Sequence, residues 1–170
     1  MSFATPEIHH YAVEVLTEQY LFSATLEPPG MLLNYVNHPD RATLQLKQVT
    51  ATALDAGSKL ATLQTESLWV RRDEILVMRF MEQLSSDTMQ LLARKEKLRV
   101  YLPRFVVQAV FRCGVDASLS DLFDTLTSYW APATDALVYP LMPCATPVFS
   151  NAQLLLLNRR RLLFYQPVKD

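Results

Sequence analysis

The chain opens with alternation. Residues 11–16 set Val13 and Val15 on one face, and residues 20–26 set Phe22, Ala24 and Leu26 on one face. That period of two predicts two half-buried strands. Glu27-Pro28-Pro29-Gly30 ends the second, because proline has no N–H to give a ladder. Residues 31–37 predict a short helix, closed by His38-Pro39. The Thr- and Val-rich residues 43–54 predict a strand that turns at Asp55-Ala56-Gly57-Ser58. Residues 60–63 and 68–70 continue the sheet, with Trp69 inside an apolar run and expected in the core. The polar Arg71-Arg72-Asp73-Glu74 predicts a hairpin tip or a register break before a strand at 75–80.

The second half follows the same order. Residues 98–102 and 105–111 predict strands, and 116–126 a helix whose Ser118 and Asp121 have capping-box spacing. Pro132, Pro140, Pro143 and Pro147 predict edge strands or loops across 131–147. Residues 154–157 and 162–165 predict a closing hairpin. Between the halves, residues 85–97 begin with Ser and Asp, contain good helix formers and end in basic residues. That order predicts a helix aligned with its own dipole.

Self-similarity underlies this parallel. Tyr20-Leu21-Phe22-Ser23-Ala24-Thr25-Leu26 largely matches Phe105-Val106-Val107-Gln108-Ala109-Val110-Phe111 in apolar and polar classes at an offset of 85. Leu32-Leu33-Asn34-Tyr35-Val36-Asn37 lies over Leu119-Ser120-Asp121-Leu122-Phe123-Asp124 at 87. Residues 68–77 lie over 155–164, again at 87. The expected fold is α+β and mainly β. It is a tandem repeat of two small β-rich units, 11–81 and 98–168, with a helical connector at 82–97. Units of this size are marginal alone, so the two are expected to pack as a pseudo-twofold intramolecular dimer.

Composition narrows the function classes. Of 170 residues, 50% are hydrophobic and 19% charged, which excludes a disordered chain. The net charge of −1 gives no field to recruit nucleic acid or an anionic membrane. Gly30, Gly57 and Gly114 are too scattered for a phosphate-cradling loop. The first seven residues lack the basic and apolar regions of a secretory leader, and no apolar stretch is long enough for a span. Cys113 and Cys144 are too few for a disulfide framework, so the chain is expected in the cytoplasm with reduced thiols.

Asn34-Tyr35-Val36-Asn37, Asp121-Leu122-Phe123-Asp124 and Leu157-Asn158-Arg159-Arg160-Arg161-Leu162 resemble motifs of a small bacterial β-rich domain family of unknown function. Val70-Arg71-Arg72-Asp73-Glu74-Ile75 departs from that pattern, with Arg in place of Asn. The resemblance implies no activity, cofactor or catalytic residue. A looser likeness to Sm-type small barrels is one of architecture.

Candidate chemistry is sparse. His9 and His10 are adjacent and point to opposite faces of a strand, so no metal site is expected. No Ser sits in a nucleophile elbow. Asp121 and Asp124 share a helix face, but Asn34 and Asn37 stand at the matching positions, which favours hydrogen bonding over proton transfer. The basic points Arg71, Arg72, Arg159 and Arg160 fall at equivalent places, and guanidinium forks suit phosphate or carboxylate. The leading expectation is a non-enzymatic protein-interaction or scaffold protein without a cofactor. It would bind a protein partner or another copy of itself through β edges or an apolar face. The alternative is a sensor of a small anionic ligand or nucleotide, held between the repeats by the four arginines. An Sm-like RNA binder is disfavoured by the near-neutral charge.

Overall fold

Ten strands form one continuous antiparallel sheet in the computed structural model, which describes residues 8–85, 87–89, 91–124 and 128–169. The chain runs β1 (Tyr11–Thr17), β2 (Tyr20–Leu26), α1 (Leu32–Asn37), β3 (Thr43–Ala53) and β4 (Thr62–Arg71). A 3-10 turn, Arg72–Glu74, leads into β5 (Ile75–Phe80). It continues through β6 (Arg94–Leu102), β7 (Phe105–Cys113), α2 (Leu119–Asp124), β8 (Trp130–Pro140) and β9 (Asn151–Asn158). A second 3-10 turn, Arg159–Arg161, precedes β10 (Phe164–Pro167). The order across the sheet is β10-β6-β7-β8-β9-β5-β1-β2-β3-β4.

The ladders of the two halves carry matching registers. Val13 faces Ala24 between β1 and β2, and Leu98 faces Ala109 between β6 and β7, 85 residues later on both strands. Thr50 faces Gln64, and Leu137 faces Asn151, 87 later on both. The register slips between Ser23 and Thr25 and again between Gln108 and Val110. Opposite each slip one residue has a positive φ, Gln48 at 48° and Asp135 at 50°.

The halves meet where β5 pairs with β9: Val77 opposite Leu157, Met78 opposite Leu156 and Arg79 opposite Leu155. Both strands are apolar on both faces because each lies between two cores. Ile75, Met78, Phe80, Leu154 and Leu156 join a core with β1–β3 and α1. Leu76, Val77, Leu155 and Leu157 join the other, with β6–β8 and Leu122 of α2. Continuous rather than alternating apolar runs are what such a position requires. A twofold relation would bring like edges together, β5 to β10 or β4 to β9. The seam joins unlike edges, so the expected pseudo-twofold packing gives way to a head-to-tail joint.

Other expectations also change. Among the described residues the connector at 82–97 is not helical: Asp87 to Met89 form a turn, and Arg94 to Lys97 open β6. Pairing of Arg94 with Cys113 and of Lys97 with Val110 outweighs the local helix preference. Neither arginine turn closes a hairpin, since β4 pairs with β3 and β10 with β6. β8 is an inner strand despite its prolines. Pro132 lies beyond the last β7 partner, which is Ala133, and Pro140 lies beyond the last β9 partner, which is Leu137. Each proline therefore has one neighbouring strand only, where a missing N–H is tolerated. Trp69 is 63% exposed rather than core. The capping box forms, with the Asp121 N–H donating to Ser118 Oγ at 3.2 Å and the Ser118 N–H to Asp121 Oδ2 at 2.7 Å. The expected end of that helix at residue 126 lies outside the described residues, as do residues 1–7, on which the leader reading rested.

Candidate functional site

The arginine turns meet at one corner of the molecule, beside the end of α1 and the start of β8. A six-residue helix cannot satisfy its own last carbonyls, so they need outside donors. Arg72, only 1% exposed, supplies them: its Nη1 donates to the carbonyls of Val36 and His38, each at 2.9 Å. Trp130 Nε1 donates to the same Val36 carbonyl at 3.2 Å. Asn37 completes the joint, its Oδ1 accepting from the backbone N–H of Tyr129 at 2.9 Å and of Trp130 at 3.3 Å.

Tyr129 lies at the centre. The Arg72 guanidinium sits 3.5 Å from its ring centroid and that of Arg160 3.7 Å. Two planar cations at that height cannot share one face, so the ring is clasped between them. Such stacking is favourable for guanidinium groups. Arg160 also donates to the Tyr129 hydroxyl. Arg159 donates to Ser128 Oγ at 2.8 Å, and burial pushes its guanidinium down to about 10. Asn158 is fully buried and ties the second turn to the first. Its Nδ2 donates to the carbonyls of Arg72 at 3.1 Å and Ile75 at 2.8 Å, and its Oδ1 accepts the Arg160 N–H at 3.0 Å.

Arg72, Arg159 and Arg160 are therefore brought together, but Arg71 is not with them. It is exposed and lines a separate concavity of about 440 Å³ with Tyr20, Phe22, Trp69 and Glu74. The four arginines expected to grip one ligand are thus divided, and Arg72 is occupied by the helix end. Arg159 instead shares a concavity of about 370 Å³ with Arg112, Asn34, Asn37, Ser128 and Trp130, and no carboxylate lines it among the described residues.

The second candidate site is the pair of outer sheet edges. β4 and β10 each have one neighbour, β3 and β6 respectively. β4 is ten residues long and mostly open to solvent, and Trp69 projects from it. At the opposite edge Leu163 and Phe164 are 62% and 57% exposed. The long open edge of β4, with its exposed tryptophan, is a template for pairing, whereas β10 is four residues long and ends in Pro167. Sequence reasoning missed Tyr129, and it missed the exposure of Trp69 and Phe164. The one polar residue ending the Leu154 to Leu157 run, Asn158, was the available signal for the corner.

Among the described residues no group of three or more His, Cys, Asp or Glu side chains could hold a metal ion, and Cys113 and Cys144 are free thiols. Among the described residues no helix is long and apolar enough to cross a membrane. Comparison of the chain with protein-family models, with curated proteins and with solved structures gives no match in any of the three.

Proposed function

We propose that the chain is a tandem duplication of one five-strand unit, 11–81 and 98–168, and that it is a non-enzymatic interaction or scaffold protein binding another chain along its free sheet edge. The recurrence of ladder registers at offsets of 85 and 87 supports the duplication. One observation carries the function: the outer edge of β4 is unpaired over Thr62–Arg71, unprotected by proline, and presents an exposed tryptophan. Main-chain groups along such an edge give affinity, and the side chains beside them give selectivity. A photo-cross-linking residue at Trp69, in native cells, is expected to give a covalent protein adduct. The same probe at exposed Asp116 is expected to give none. Absence of an adduct at Trp69 sinks the reading.

The concavity lined by Arg112 and Arg159 supports a second reading, a site for a small anionic ligand. Two guanidinium groups without a lining carboxylate suit a phosphate or carboxylate group. A thermal-shift series with inorganic phosphate and nucleotides tests it. The expected shift disappears in Arg112→Met, and no shift with any anion removes the reading.

A further inference from the structure

The occupant of the β4 edge can be named. We infer that it is β10 of a second copy of this chain, joined as β5 joins β9 inside the chain. The inference rests on the edge-binding reading above.

The seam within the chain is the template. At the 87-residue offset, β4 stands where β9 stands and β10 where β5 stands, and the two 3-10 turns, Arg72–Glu74 and Arg159–Arg161, coincide. Only one such seam forms internally, so one edge of each kind is left over, β4 at one end of the sheet and β10 at the other. They are the complementary pair. The internal register sets Val77 opposite Leu157, Met78 opposite Leu156 and Arg79 opposite Leu155. Carried across by the offset, it sets Phe164 of one copy opposite Val70 of the next, Tyr165 opposite Trp69 and Gln166 opposite Leu68.

Burial supports the same conclusion. Leu76, Val77 and Leu156 are 0% exposed in the internal seam. Their counterparts Leu163, Phe164 and Trp69 are among the large exposed apolar residues at the free edges, while Val70, the counterpart of Leu157, is already buried. Side chains that the internal seam covers are thus left uncovered where a seam is missing. Arg71 occupies the position of Asn158, whose side chain donates to backbone carbonyls across the seam. An arginine there keeps donors available for the carbonyls of the incoming turn. A joint between unlike edges is heterologous, so copies add head to tail and either close into a ring or extend as a filament.

Mixing tests the joint and its register. Two variants, Trp69→Cys and Tyr165→Cys, are made in a chain carrying Cys113→Ala and Cys144→Ser. Directly opposite residues have Cβ atoms about 4.5–5.5 Å apart, close enough for a disulfide after small adjustment. Under mild oxidation, a disulfide is expected only between the two different variants, and Leu68→Cys should not replace Trp69→Cys efficiently. A Trp69→Cys homodimer, or no cross-link at all, overturns the inference. The adduct at Trp69 in otherwise native chain is the second measurement. An adduct with the chain itself supports the inference. One with a different protein overturns it while leaving the edge-binding reading intact, and no adduct defeats both.

Discussion

Replacing Asn158 with alanine tests how the two halves are locked. The side chain is fully buried and makes three hydrogen bonds, two donated to the carbonyls of Arg72 and Ile75 and one accepted from the Arg160 N–H. A net contribution of about 0.5–1.5 kcal/mol per bond, with some relief where a carbonyl keeps another partner, gives an expected loss of about 2–4 kcal/mol. For a chain of this size that corresponds to a Tm lower by roughly 4–16 °C. The control is Arg71→Ala, at the matching position before the first turn. It is exposed and should change stability by less than about 0.5 kcal/mol in dilute solution. Urea titration at 25 °C and scanning calorimetry measure both. A loss below about 1 kcal/mol in Asn158→Ala, or equal losses in the two variants, refutes the assignment of Asn158 as the lock.

Trp130→Phe removes the Nε1 donor to the Val36 carbonyl and leaves a small void, for an expected loss of about 1–2 kcal/mol by urea titration. An unchanged midpoint would show that the α1 end is satisfied by Arg72 alone. Arg159 has its folded-state value depressed by burial to about 10, so the charged form carries a cost at every pH below that, and the cost fades only as pH rises above about 10 toward the ordinary arginine range. Arg159→Met at pH 7 is therefore expected to hold or raise stability, by up to about 2 kcal/mol, and a clear loss in thermal denaturation would contradict this. Ser118→Ala should cost about 1 kcal/mol through the lost cap of α2. The Asp121 carboxyl is held below its ordinary 3.8 mainly by the Ser118 hydroxyl, then by the Ser118 backbone N–H. Its stabilising effect is present above 3.8 and is lost as pH falls through the lowered value, so the Ser118→Ala deficit should shrink in acid. A deficit independent of pH would remove that coupling.

The local elements were largely legible because most strands have a face that alternates or a run that does not. β1, β2, β3 and β5 follow directly from their apolar patterns, and α1 and α2 from their boundaries. The offsets of 85 and 87 were also visible, since register and bulge positions constrain spacing even where identities are few. Pairing partners were not visible. Lys95 and Lys97 resemble the end of a helix until β7 and β10 are placed on either side of β6. Pro132 and Pro140 argue against an inner strand until the neighbouring strands are seen to stop short of them. Trp69 has the composition of a core residue, and only its place on an outer strand exposes it. Arg72 and Arg159 share a sequence position, but one is fixed to the helix end while the other lines a concavity. Charge pattern alone does not distinguish those fates.

Native mass spectrometry of edge-blocked variants tests the head-to-tail joint most directly. Trp69→Lys blocks β4, and Phe164→Lys blocks β10, each at a largely exposed position. The unmodified chain is expected as a multi-chain species, each variant alone as a single chain, and their equimolar mixture as a two-chain species containing one of each. A single-chain mass for the unmodified protein, or self-association by either blocked variant, would contradict the joint between β10 and β4.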